Sequence, residues 1–213
     1  MLHPSIAASV EALKKDKYFG PLIRKHGLPE LKRGTNVFEA LVRSIVYQQL
    51  SGKAAATIYA RFRALFPGKK FPAPEEVKKV PFEKLRSVGL SNQKATYILD
   101  LAEKFATGVI RHRAIPKMTN EEIVEHLTEV KGIGEWTVHM FLMFTLNRPD
   151  VLPVGDLGIK KGFQIVYGLR KMPEAKRMER LAAPWRPHAT TACWYLWRAA
   201  DEKKAVVIKR GRG

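Results

Sequence analysis

The sequence predicts an all-α fold, and three observations carry that prediction. Apolar residues recur at helical spacing almost throughout, no segment alternates convincingly at period two, and cap or stop residues stand where the periodic stretches begin and end. Asn36 opens the first clear helix with Glu39 three residues on, as in a capping box. Val37, Leu41 and Ile45 then share one face, with Phe38, Val42 and Val46 beside them. Ser51-Gly52 interrupts, a second helix follows, and Pro67-Gly68 ends it. Ser91-Asn92 can cap a helix carrying Ala95, Ile98, Leu99, Ala102 and Phe105. Thr119 or Asn120 can cap a short one ending near Thr128, and Glu135 to Leu146 reads as a buried apolar helix. Leu157–Tyr167, Glu174–Ala182 and Ala189–Ala200 complete the set. Val206-Val207-Ile208 is the single strand candidate, and Lys203 to Gly213 reads as a frayed basic end. Without a Pro/Ser-rich linker, residues 1–213 are expected to form one domain.

Composition narrows the partner. The chain has 213 residues, 46% of them hydrophobic, which suffices for one core or two small lobes sharing a core. Lys and Arg number 38 against 20 Asp and Glu, a formal charge of +18. Such an excess points to a polyanion, because cations that neutralise phosphates release condensed counterions. No run of about 18 apolar residues exists to span a bilayer, and Met1-Leu2-His3-Pro4-Ser5 lacks a basic-then-apolar signal pattern. Cys193 is the only cysteine, so no internal disulfide is possible and a buried inert thiol is expected. An intracellular protein is expected. The six histidines show no clustered ligand spacing.

The informative stretch runs from Leu127 through Lys131-Gly132-Ile133-Gly134-Glu135-Trp136-Thr137 to Val138 and places a Gly-x-Gly hairpin between two helical segments. Glycines let a backbone turn tightly and approach a ligand. The N–H groups and positive dipole end of the second helix then face the turn, which suits a phosphate and reads no base sequence. Leu152-Pro153-Val154-Gly155-Asp156 follows, where Pro and Gly bracket an acid at the start of another helix. In isolation Asp156 is a plain N-cap. A second hairpin-like turn at Leu85 to Asn92 echoes the first loosely.

These blocks together resemble the helix-hairpin-helix DNA glycosylases, and among them the 3-methyladenine DNA glycosylase II branch. Phe38 to Ser51, including Tyr47-Gln48-Gln49-Leu50-Ser51, and the late Trp194-Tyr195-Leu196-Trp197-Arg198 also resemble that branch, so the likeness covers roughly Val37 to Ala200. It implies a compact, two-lobed helical fold with a cleft between the lobes. One lobe would span about 36–150 and hold the hairpin; the other would join about 1–35 to 151–213. This chain departs from the family in having His188-Ala189-Thr190 after Trp185-Arg186-Pro187, where the family often has an arginine.

The resemblance also implies residue roles. Asp156 would be the catalytic carboxylate, placed beneath a deoxyribose whose positive charge grows as the N-glycosidic bond breaks. Bifunctional members place a Schiff-base lysine two residues after the second hairpin glycine, and Trp136 stands there instead, so no lyase step is expected. Trp136, Trp197 and Tyr47 are the base-pocket candidates, since an aromatic face attracts a cationic alkylated purine. Lys131, Gly132, Ile133, Gly134 and Thr137 would meet DNA at the hairpin, and Gln48 and Gln49 at the site from which the family wedges the stack. The carbonyls of Thr128, Val130 and Ile133 would hold a structural monovalent cation; catalysis would need no cofactor. The expected partner is double-stranded DNA with damaged bases, bound by a monomer. The rival readings are a non-catalytic helix-hairpin-helix DNA-binding protein and an RNA-associated basic protein.

Overall fold

The computed structural model describes residues 4–30, 34 and 36–210, with the backbone alone at 4–5 and 203–210. Its described residues contain helices and turns and no strand. The chain divides into two compact units, Met1–Arg33 with Leu142–Gly213, and Gly34–Phe141.

In the unit formed by Gly34–Phe141, α3 (Val37–Tyr47) begins at Asn36, whose side chain accepts the Glu39 N–H at 3.0 Å. The Glu39 carboxylate accepts the Tyr59 hydroxyl at 2.9 Å, so it ties α3 to α4 (Gly52–Ala64). Phe38, Leu41, Val42, Ile45 and Val46 are buried along one face of α3. Full burial of such side chains contributes roughly 1.5–3 kcal/mol each. Phe38 meets Phe71 and Phe105, extending this core to α7 (Asn92–Ala106). Two short helices that the sequence pattern does not reveal, α5 (Pro74–Val77) and α6 (Phe82–Ser87), lead into α7. Ser91 caps α7 by accepting the Lys94 N–H. The turn between α6 and α7 contains Gly89 at φ +103°, with the Ile58 side chain 3.2 Å from where a Cβ would lie. α8 (Asn120–Thr128) carries a complete capping box between Thr119 and Glu122, and α9 (Glu135–Phe144), which belongs to this unit as far as Phe141, follows the hairpin.

In the other unit, α1 (Pro4–Lys14) and α2 (Phe19–His26) precede α10 (Leu157–Val166), α11 (Ala175–Ala182) and α12 (Ala189–Arg210). α10 lies directly on α12: a Cβ at Gly162 would sit 2.5 Å from the Leu196 carbonyl oxygen. Tyr195, at the same level of α12, is buried and donates its hydroxyl to the Gly27 carbonyl at 2.8 Å. Val206-Val207-Ile208 is not a strand; it continues α12. β-branched residues have only a weak preference against helix, and here they extend a helix already under way. The side chains of the basic stretch from Lys203 onward lie outside the described residues.

Candidate functional site

Two arrangements hold the residues singled out by sequence. The first is the Asp156 loop. Thr190 of α12 organises its approach: the Thr190 hydroxyl accepts the Val151 N–H at 3.1 Å and donates to the Arg148 carbonyl at 2.6 Å. Arg186, in the block where the family often has a later arginine, pairs with Asp150 at 2.8 Å, and His188 meets the Ser9 hydroxyl at 3.0 Å. The chain then turns through Val154 and Gly155, with the Asp156 N–H donating to the Pro153 carbonyl.

Asp156 is the N-cap of α10, and its Oδ1 accepts the Ile159 N–H at 2.7 Å. The same oxygen accepts the Trp197 Nε1–H at 2.9 Å. Trp197 was a candidate for the base pocket; the structure gives its N–H to the carboxylate and stacks its ring on Phe144, centroids 5.8 Å apart. Gly158 makes this possible. A Cβ there would lie 2.7 Å from Trp197 Cδ1 and 3.1 Å from Asp156 Oδ1. Asp156 is 9% exposed, yet Leu157 beside it is 68% exposed and Phe144 is also exposed. A nearly buried anion with fixed donors and an apolar exposed neighbourhood is suited to meeting a developing cation. Cys193 lies in this unit, fully buried, with its thiol directed at the Val151 carbonyl; burial first, and then the Asp156 charge, push its pKa far up.

The second arrangement is the hairpin after α8. Gly132 takes φ +80°, and a Cβ there would collide with the Tyr97 ring at 2.1 Å. Gly134 faces open space, Lys131 and Gly134 are exposed, and Trp136 at the second position of α9 is 51% exposed. The first-turn N–H groups of α9 therefore stand at an open glycine edge. Ile133 and Thr137 turn their side chains inward and are buried. Any contact from these two to a phosphate would run through the main chain.

Gln48 and Gln49 divide their work. The Gln48 side-chain amide donates to the Gly132 carbonyl at 2.8 Å, so it holds the hairpin. Gln49 is exposed and adopts φ +56°. A non-glycine residue in that region costs of order 1–3 kcal/mol and persists only when its surroundings fix it. Tyr47 is half-buried, with the Arg43 guanidinium over its ring at 4.8 Å and Tyr59 edge-on at 6.4 Å. The carbonyls named for a cation fit that role in chemistry. Thr128 ends α8 and Val130 follows its C-cap Glu129, at the negative dipole end of the helix. The Val130 oxygen accepts the Ile133 N–H at 3.1 Å, and the intervening Glu129 carbonyl already takes the Lys104 ammonium at 2.5 Å. Among the described residues no group of His, Cys, Asp and Glu is placed to bind a metal.

Sequence reasoning missed Phe144 and four residues of α7: Lys94, Tyr97, Asp100 and Lys104. Their spacing is the signal that could have found them, since polar or aromatic residues three to four apart share one side of a helix.

This is a helix-hairpin-helix protein with a Gly/Pro-rich loop that ends in a helix-capping aspartate. Residues 42–187 match the HhH-GPD superfamily of base excision DNA repair proteins, and the chain belongs to that family. It is 38% identical over 177 residues to DNA-3-methyladenine glycosylase 1 of Schizosaccharomyces pombe, covering 81% of this chain and 78% of that protein. The structure of the Schizosaccharomyces pombe 3-methyladenine DNA glycosylase in complex with abasic DNA superposes with a TM-score of 0.78 at 35% identity, covering 90% of this chain and 95% of that one. A DNA-3-methyladenine glycosidase from Bacillus halodurans gives 0.80 at 37% identity over 93% and 89%.

Proposed function

We propose that this protein is a monofunctional DNA glycosylase that turns alkylated purines out of the duplex and hydrolyses their N-glycosidic bonds. The observation that carries the reading is Asp156, an almost buried carboxylate held on one oxygen by the Ile159 N–H and the Trp197 indole N–H. A base inside a duplex is out of reach, so the nucleotide must be extruded first. As the bond lengthens, positive charge spreads over the sugar, and the Asp156 charge offsets it and orients the attacking water. A 3- or 7-alkylated purine carries positive charge already and leaves without strong acid catalysis. Trp136, half-exposed at the start of α9, offers a face for such a base, and occupies the position of the Schiff-base lysine in bifunctional members.

Lys131, Gly132 and Gly134, with the main-chain N–H groups that follow, would grip the phosphate backbone. The carbonyls of Thr128, Val130 and Ile133 would hold a monovalent cation that stiffens this turn. The protein acts as a monomer inside the cell, where genomic duplex is found.

The test is release of free methylated base from methylated duplex DNA. Wild type should release base without cutting the strand, and borohydride should trap no protein–DNA adduct. Asp156→Asn preserves shape but removes the charge, so it should bind duplex as wild type does and lose most single-turnover excision. Wild-type protein that binds but releases nothing would leave the non-catalytic DNA-binding alternative. A borohydride-trapped adduct would overturn the monofunctional assignment.

A further inference from the structure

One side of α7 meets two backbone segments of the Gly34–Phe141 unit, the end of α3 and the hairpin. Lys94, Tyr97, Asp100 and Lys104 recur at helical spacing beside the apolar face formed by Ala95, Ile98, Leu101, Ala102 and Phe105. Three of the four hydrogen-bond a backbone, and the fourth packs against one. The Lys94 ammonium donates to the Val46 carbonyl at 2.8 Å and to the Gln48 carbonyl at 2.7 Å, closing the open end of α3. The Tyr97 ring fills the space that a side chain at Gly132 would need. Asp100 accepts the Lys131 N–H at 2.9 Å and pairs with Lys104, which also donates to the Glu129 carbonyl. Gln48 then links the two clamped segments, because its main chain is held by Lys94 and its side chain holds the Gly132 carbonyl.

We propose that Lys94, acting through Gln48, is a positioning residue that fixes the left-handed Gln49 turn rigidly to the phosphate-gripping hairpin. Gripping the backbone and displacing a nucleotide are then one mechanical event, because the element that touches the phosphate and the element that enters the stack share a brace. Desolvation lowers the Lys94 pKa, as expected for an ammonium drawn onto carbonyls away from water. The Gln49 backbone has a conformation that needs external support, and the residues supplying it are Lys94 and Gln48. The proposal rests on the glycosylase reading only in supposing that a nucleotide is extruded.

The experiment separates extrusion from excision. In an Asp156→Asn background, 2-aminopurine fluorescence beside a 7-methylguanine in duplex DNA reports unstacking. Lys94→Met should leave affinity for undamaged duplex within about twofold. It should reduce the unstacked fraction about tenfold, the ratio equivalent to about 1.4 kcal/mol of lost pre-organisation. Lys94→Arg, which retains donors for both carbonyls, should recover most of the signal. Gln48→Leu removes the other strut and should lower the unstacked fraction as Lys94→Met does, which keeps the test decisive if Lys94→Met fails to fold. Combining Lys94→Met with Gln49→Ala should be no worse than Gln49→Ala alone. Multiplying effects in the double variant, or unchanged unstacking in Lys94→Met, would overturn the brace and leave glycosylase activity untouched. Normal unstacking with no base release by the wild-type enzyme would instead overturn the glycosylase reading and leave the brace standing.

Discussion

Gly158→Ala is a one-carbon test of the Asp156 arrangement. The new Cβ would lie 2.7 Å from Trp197 Cδ1, 3.0 Å from its Nε1 and 3.1 Å from Asp156 Oδ1. Relief of that overlap requires the indole to retreat by roughly 0.7 Å, which takes its 2.9 Å bond to the carboxylate beyond hydrogen-bonding range. Losing a hydrogen bond to a charged group costs about 1.5–3 kcal/mol. Alanine in a helix recovers about 0.5–1 kcal/mol relative to glycine. The loss wins. Melting should fall by a few degrees, at about 2–4 °C per kcal/mol for a chain of this size. Single-turnover excision should fall about 10- to 100-fold if most of the lost bond orients the transition state. Gly155→Ala is the control, since its Cβ would meet nothing within 4 Å. Differential scanning calorimetry and single-turnover base release, run on both variants, make the comparison. If Gly158→Ala melted and turned over like Gly155→Ala, the Trp197–Asp156 bond would have no part in holding the carboxylate.

The two hairpin glycines should behave differently. Gly132→Ala combines a left-handed φ with a collision against Tyr97 and should lower the melting temperature, whereas Gly134→Val should leave melting unchanged and weaken binding to damaged and undamaged duplex alike, read by fluorescence anisotropy. Gly162→Ala should destabilise the protein by about 1–3 kcal/mol by prising α10 from α12, and urea titration would show it as a shifted midpoint at unchanged slope. Charged 3-methyladenine and 7-methylguanine should be excised faster than neutral hypoxanthine, because they leave more easily and aromatic faces attract them. Equal rates for all three would favour selection by shape.

Features written locally were legible in the sequence. Asn36, Ser91, Thr119 and Asp156 all cap helices as their residue types imply, because a cap needs only the next few residues. α5 and α6 were not legible, since helices of four and six residues are too short to display a period. α2 has no side-chain cap at Tyr18, and Pro21 in its first turn, though compatible with a helix start, introduces only a short periodic stretch. At the site, Asp156 stood out from its flanking Pro153 and Gly155. Its bond to Trp197, 41 residues away, did not, because a long-range contact leaves no trace in local pattern. The hold of Gln48 on the hairpin was hidden for the same reason: its partner, the Gly132 carbonyl, is 84 residues further along.

The sole thiol has a chemical consequence for any protein that meets methylating agents alongside methylated DNA. Such agents attack thiolates in preference to protonated sulfur, and a thiolate forms only where solvent or a nearby cation favours it. Cys193 lacks the first and has too little of the second: it is fully buried, and burial with the Asp156 charge opposes ionisation more strongly than Arg186 favours it. The sulfur that lies in the same unit as the carboxylate is therefore chemically mute. The protein can be assayed without added reductant, and iodoacetamide should label it only as fast as it unfolds.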